Sequence, residues 1–310
     1  MNPHTLLWLI FSVTVILLLW LDLVVWNKHA HAVSMKESAL FCAGWASVAL
    51  LFGGLVWHLL GQGKAMEFLA GYLVEYSLSM DNMFVFLAIF CYFGTKAENQ
   101  PRILQWGIIG AVIMRFILIF AGVALINRFR WLLYVFGVVL LFTGVKMFRA
   151  GEEKMDPGAN PVLRLFKRFM PFEDKYEGEE FFVSVRGLMH ATPLFATVIV
   201  IEASDLLFAV DSIPAVIAIS RDPLIVYSSN VFAILGLRSL YFLLAGMMGL
   251  FEYLKYGIAL ILCFIGAKML LADIYHISSG ITLAVVSGVL GTAIIVSVLK
   301  GRKDAGGCAE

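Results

Sequence analysis

Five carboxylates stand where an apolar chain should have none: Glu75 and Asp81 in the stretch EYSLSMDN, and Glu202, Asp205 and Asp211 in EASDLLFAVDSIP. Each stretch lies inside a run long enough to cross a bilayer. A charge at the centre of a membrane helix costs about 2.5 to 3.5 kcal/mol on insertion scales, so five that were ionised, lipid-facing and unpaired would together cost on the order of 12 to 18 kcal/mol. Something must compensate them, and the chemistry on offer is that of a cation site. Carboxylates, the amide oxygen of Asn82, the hydroxyl of Ser212 and freed backbone carbonyls form a hard, oxygen-rich donor set. Such a set suits Mg²⁺, Ca²⁺ or Mn²⁺ rather than thiolate-seeking copper or zinc. Four or five acids around one divalent ion exceed neutrality, so part of the set would carry protons, and proton uptake coupled to metal release follows as a hypothesis.

The candidate ligands are therefore Glu75, Asp81, Asn82, Glu202, Asp205, Asp211 and Ser212. On a straight helix Glu202, Asp205 and Ser212 share a face, Asp211 points to the opposite side, and Asp81 lies about 120° from Glu75. Either the acids face different neighbours, or the helices break near Ser79–Asn82 and Ala209–Pro214. Pro214 and the poor helix formers Asp211 and Ser212 favour a break in the second stretch. Unwound backbone is tolerated at membrane depth where it lines a cavity.

The elements that must carry these residues are membrane helices. With 61% hydrophobic and 15% charged residues over 310 positions and a mean hydropathy of +0.90, the chain is too apolar for a soluble domain. Its apolar runs recur along the whole length. Spans are expected near 5–26, 39–60, 67–93, 104–127, 131–149, 187–213, 223–247, 253–272 and 279–299, an all-α polytopic transmembrane helix bundle of about nine crossings. The first run is too long for a signal-peptide core and has no basic residue before it, so it reads as a retained helix. If the spans alternate, fifteen Lys and Arg residues collect in the loops of one side and four, Lys64, Arg128, Arg130 and Arg221, in those of the other. That bias puts the N-terminus outside and the C-terminus in the cytoplasm. The net charge of +1 is spread over loops and implies no nucleic-acid partner.

This divides the chain into two N-terminal helices (1–66), a three-helix unit (67–150), a cytoplasmic loop (151–186), a second three-helix unit (187–277), a final span (278–300) and a disordered tail (301–310). Within the loop, PVLRLFKRFMP alternates apolar with basic residues, as either an interfacial helix or a solvated linker would. The four cysteines are single, with no CxxC pair, and imply neither disulfides nor a zinc site. The histidines His29, His31, His58, His190 and His276 have no convergent spacing for a metal.

The two units are copies. An offset of 130 lays Glu75 on Asp205, Asp81 on Asp211 and Asn82 on Ser212. An offset of 123 lays Arg115 on Arg238, and one of 122 lays FTGVKM, ending at Met147, on FIGAKM, ending at Met269. Because each unit has three spans, the second enters from the opposite side, which makes an inverted repeat. Many secondary transporters build two gates around a midplane site in this way. Arg115 and Arg238 are placed either to pair with the acids of an empty site or to pack between the units. Lys146 and Lys268 fall near opposite faces, where snorkelling accounts for them.

At EYSLSMDNMFVF, EASDLLFAVDSIPA, NVFAILGLRSLYFLLAG and the paired GVKM and GAKM endings, the sequence resembles the TerC/Alx family of integral membrane proteins, within the LysE-like exporters. The resemblance covers most of the chain and shows no departure from the family pattern. It implies a multi-pass protein of the bacterial inner membrane, associated with manganese export and historically with tellurite resistance. The family's acidic positions fall on Glu75, Asp81, Glu202, Asp205 and Asp211. The resemblance narrows the cargo to Mn²⁺ and supplies the outward direction, neither of which the spacing can give.

The expected function is a secondary exporter of divalent cations with no prosthetic group and no enzymatic step. An intramembrane aspartyl protease would carry YD and GxGD motifs, whereas Met80 precedes Asp81 and Val210 precedes Asp211. A channel would call for rings of charge from several subunits. The rival reading is a non-transporting scaffold or metal-sensing protein with a structural ion site. Oligomeric state is not legible in the sequence.

Overall fold

The structure is a computed structural model that describes residues 2–21, 35–129, 131–149, 180–185, 188–245, 254–271, 274 and 277–306. The segment PVLRLFKRFMP and the side chains of Asp81 and Asp211 lie outside the described residues. The described elements are α1 (Pro3–Leu21), α2 (Met35–Leu60), α3 (Gln62–Tyr92), α4 (Gln100–Arg128), α5 (Leu132–Arg149), β1 (Phe182–Val185), β2 (Leu188–Ala191), α6 (Pro193–Ile219), α7 (Pro223–Leu235), α8 (Leu237–Ala245), α9 (Leu254–Leu270) and α10 (Ser279–Gly306). This is the expected all-α membrane bundle. Among the described residues four helices are long and apolar enough to cross a membrane alone, and six spans result if the two bent pairs are each counted as one. Helices α5 and α9 are shorter apolar helices.

Several details differ from expectation. Helix α3 runs unbroken through Ser79–Asn82. It contains no proline, and Ser77 Oγ donates to the Leu73 carbonyl at 2.5 Å within the helix, so nothing there removes a ladder bond. Helix α6 does bend, by 42° between Ala209 and Ser212, just before Pro214 removes a backbone donor. A second bend of 43°, not anticipated, separates α7 from α8 at Gly236. The sixth span starts at Pro193 rather than near 187, because Phe182–Val185 and Leu188–Ala191 pair as an antiparallel hairpin. Thr192 closes the hairpin onto the helix, its hydroxyl donating to the Glu180 carbonyl at 2.7 Å. The tail expected to be disordered is helical as far as Gly306.

Helix α7 is the hub. Every residue from Leu224 to Leu235 is buried, as expected of a helix that is apolar all round. Asp222 caps it by accepting from the Leu224 amide at 3.1 Å, with Pro223 in the first turn. Phe232 packs against Phe11 of α1, Phe52 of α2 and Phe68 of α3, with ring centroids 5.0 to 6.2 Å apart. At Gly61 a left-handed backbone (φ 89°) lets α2 end and α3 begin within one residue.

The ends of the helices sort as alternating crossings require. At one end His4 approaches Asp222 (3.9 Å), Lys64 bridges to Glu67 (2.8 Å) and Asp222 (4.0 Å), and Ser220 donates to Glu67 (2.6 Å). Lys268 donates to Thr282 of α10 at 3.0 Å. At the other end Tyr241 donates to Gln100 (3.1 Å), and Arg102 lies 4.9 Å over the Phe181 ring.

The two three-helix units meet reciprocally. Helix α5 packs most closely on α9, α3 packs on α7, and α4 packs on α6. In the α5–α9 seam a Cβ at Gly144 would stand 2.6 Å from Cys263 Sγ and 2.8 Å from the Ala259 carbonyl. One at Gly266 would stand 2.8 Å from the Gly137 carbonyl and 2.9 Å from the Leu141 nitrogen. At the offset of 122, Gly137, Leu141 and Gly144 correspond to Ala259, Cys263 and Gly266. The contacts are therefore self-complementary, each residue touching the counterpart of its partner, as across a two-fold axis. Small residues bring the two backbones together, the usual device where lipid offers no hydrophobic drive.

Gly266→Ala should push α5 from α9 and lower the thermal midpoint in detergent, at a cost of about 1 to 3 kcal/mol. Gly291→Ala, where nothing lies within 4 Å of the added carbon, should leave the midpoint unchanged.

Candidate functional site

Arg115 lies near the middle of α4 and is completely buried. A guanidinium there must use its donors, and four side chains from three other helices accept them. Asp205 of α6 takes a fork, with Nη2 donating to Oδ1 at 3.0 Å and Nε to Oδ2 at 3.3 Å. Glu75 of α3 accepts a short hydrogen bond from Nη1. Nη1 also faces Asn230 Oδ1 of α7 at 3.3 Å and Ser212 Oγ of α6 at 3.5 Å. The amide of Asn230 completes the ring, its Nδ2 donating to Glu75 Oε2 at 2.8 Å, and Ser79 Oγ lies 3.5 Å from Glu75 Oε1. Since Asn230 meets a donor on one side and a carboxylate on the other, its orientation is set by the network.

The bend in α6 positions this set. On a straight helix Asp205 and Ser212 are already close to one face, and the kink between Ala209 and Ser212 lets both reach the same guanidinium. The unbroken α3 presents Glu75 from the opposite side. Both acids that contact Arg115 are nearly inaccessible. Paired charges in this setting are held by geometry: the fork on Asp205 matches guanidinium and carboxylate in plane.

Glu202 sits apart from this ring. One turn before Asp205 on α6, its carboxylate lies in a notch of α4 where Gly107 and Gly110 have no side chains, and a Cβ at Gly110 would overlap it. Glu202 is half-buried, and among the described residues it makes no hydrogen bond or ion pair. Arg238, the repeat counterpart of Arg115, is also buried and lines a small cavity with Asp205, Phe86, Ile201 and Leu237.

The structure thus brings Glu75, Asp205 and Ser212 of the expected set together and places Glu202 nearby. Asn82 is buried on α3, and no hydrogen bond joins it to the ring among the described residues. The side chains of Asp81 and Asp211 lie outside the description. No group of three His, Cys, Asp or Glu side chains converges on a metal position among the described residues. What converges instead is a set of oxygens around Arg115. Asn230 and Ser79 are not among the residues expected from the two acidic motifs. The run YSSN within an apolar span was the available signal, because polar side chains at membrane depth are rarely idle.

The oxygens of Glu75, Asp205, Ser212 and Asn230 converge from three helices on one buried cation. This donor set is hard and oxygen-rich, the chemistry that also suits a hard metal cation.

Comparison with known proteins agrees with the reading from the residues. Residues 60–305 match the model of the integral membrane protein TerC family. A relative from Salmonella typhi, Alx, named as a membrane-bound redox modulator, is 48% identical over 301 residues, 94% of each chain. The protein of that name from Escherichia coli K12 is 46% identical over 94% of each chain. An uncharacterized membrane protein of Myxococcus xanthus is 45% identical over 96% of this chain and 93% of its own. No solved structure matches.

Asn230→Leu keeps the branched shape but is larger and deletes both amide hydrogen bonds, so it should lower stability by about 1 to 3 kcal/mol, read as a fall in the thermal midpoint. Gly110→Ala should destabilise by displacing the Glu202 carboxylate. Adding Glu202→Ala should recover most of that loss, a non-additivity that a double-mutant cycle measures directly.

Proposed function

The chain belongs to the TerC family of integral membrane proteins, and on that premise we propose that it is a secondary transporter that exports a divalent cation, Mn²⁺ above others. It works in the bacterial inner membrane with its N-terminus periplasmic and its C-terminus cytoplasmic. The observation that carries this reading is the convergence of Glu75, Asp205, Ser212 and Asn230 on one buried cationic position. The acids come from both three-helix units, so a relative movement of the units changes the site. The reciprocal packing of α3 on α7 and α4 on α6 supports such a movement, because it offers two equivalent arrangements of one interface.

In this reading Glu75 and Asp205 are the primary ligands, Ser212 and Asn230 supply neutral oxygens, and Asp81, Asn82 and Asp211 belong to the pathway from the same motifs. Glu202, which makes no ion pair or hydrogen bond among the described residues, is the carboxylate best placed to carry a proton in exchange. Hard oxygen ligands suit Mn²⁺, and its choice over Mg²⁺ or Ca²⁺ comes from the family. The redox role in the name of the Alx relatives accords with transport of a redox-active metal.

The test is cellular manganese in a strain lacking its main exporter, expressing the parent, Glu75→Gln, Asp205→Asn or Asp211→Asn at matched membrane levels. The parent should lower cell manganese severalfold and the variants should not. Equal lowering by all four would place transport elsewhere, and no lowering by the parent would favour a scaffold.

A further inference from the structure

The cationic position at the heart of the site is already occupied by the protein itself. Arg115 places its guanidinium where the oxygens of Glu75, Asp205, Ser212 and Asn230 converge. The fork on Asp205 uses both carboxylate oxygens, and Glu75 is engaged on one oxygen by Arg115 and on the other by Asn230. A metal ion held by Glu75 and Asp205 would need the same lone pairs and would stand within a few ångströms of a like charge. The two cations are mutually exclusive.

We propose that Arg115 is a tethered counter-cation, a built-in competitor that fills the Glu75–Asp205 pair when no metal is bound. It must withdraw before a divalent ion binds, and it expels that ion on return. This deepens the reading of the site as a cation-transport site and rests on it.

The physical reason lies in the surroundings. Two carboxylates buried among apolar helices and left without a cation would be strongly unfavourable, so an emptied site needs a substitute charge. Arg115 supplies it from α4, an element distinct from α3, α6 and α7, which carry the oxygens. Withdrawal of the guanidinium therefore loosens α4 from those helices at this level, and its return draws them together. Gly107 lies against Ile201 and the Glu202 carboxylate seats in the notch at Gly110, so a shift of α4 must also unseat Glu202. The apparent affinity for metal is then reduced by the fraction of protein in which Arg115 holds the acids, and removal of the guanidinium removes that penalty. A residue that merely clamped the fold would have the opposite signature: its loss would weaken every other function of the site.

The experiment is equilibrium binding of Mn²⁺ alone to purified full-length protein in nanodiscs, with thermal midpoints measured with and without Mn²⁺, for the parent, Arg115→Gln and Arg115→Lys. Arg115→Gln keeps hydrogen-bonding capacity without the charge. It should bind Mn²⁺ more tightly than the parent by about tenfold or more, the factor expected when a dominant competing state is removed. Its midpoint should be lowered without metal and raised by Mn²⁺ by more than the parent's. Efflux from Mn²⁺-loaded proteoliposomes should fall, because bound metal is no longer displaced. Arg115→Lys keeps the charge but not the fork, so it should bind with intermediate affinity, and it carries the test alone if the glutamine variant does not fold. Binding by either folded variant no tighter than the parent's overturns the competitor role while leaving the transport site standing. A parent that binds none of Mn²⁺, Mg²⁺ or Ca²⁺ overturns the site reading and this inference with it.

Discussion

Two carboxylates deep in an apolar bundle cannot remain charged unless a cation meets them, and here the cation is Arg115, completely enclosed between Glu75 and Asp205. Much else in the architecture can be traced to that requirement. Helix α3 must bring Glu75 in from one side, α6 must bend so that Asp205 and Ser212 reach the same guanidinium, and α7 must place Asn230 where it can bridge acid and base. A buried ion pair is weak evidence for stability, since its desolvation cost rivals its attraction. Its persistence at the junction of both three-helix units points to a role beyond holding the fold.

The remainder of the bundle divides the labour. The α5–α9 seam, built on Gly137, Gly144, Ala259 and Gly266, brings two backbones into contact. The aromatic cluster of Phe11, Phe52, Phe68 and Phe232 fastens the N-terminal helices to the hub helix α7. Around the site itself the contacts are of another kind, with Gly71 facing Ser229 and Gly107 facing Ile201. At the repeat offsets of 130 and 123, Gly71 corresponds to Ile201 and Gly107 to Asn230, so the two contacts are the same one within a residue. A seam fixed by small residues and a site flanked by near-equivalent contacts is an arrangement in which one half can reorient against the other.

The two units do not carry the same charged residues. Arg115 lies between both acids, whereas its counterpart Arg238 borders a small cavity beside Asp205. Glu202 has Tyr72 as its counterpart at the offset of 130, so only one unit carries the extra carboxylate. The units therefore share a packing scheme and differ by the Glu202 carboxylate.

What the sequence by itself determined is considerable. The apolar runs establish a helical membrane bundle, because backbone polar groups in lipid must be satisfied within the segment. Of the five acids that the sequence places at membrane depth, Glu75 and Asp205 meet at Arg115, and the matched order of Asp, Arg and Lys suggests two related units. Pro214 foretold the bend in α6. Tertiary structure alone decided which groups meet. Helical periodicity says which residues share a face but not which neighbour that face meets, so neither the meeting of Arg115 with Glu75 and Asp205 nor the recruitment of Asn230 could be read from spacing. The unbroken α3, the hairpin before α6 and the break at Gly236 depend on packing and on hydrogen bonds made far along the chain. Local composition proposes such features, and long-range contacts decide them.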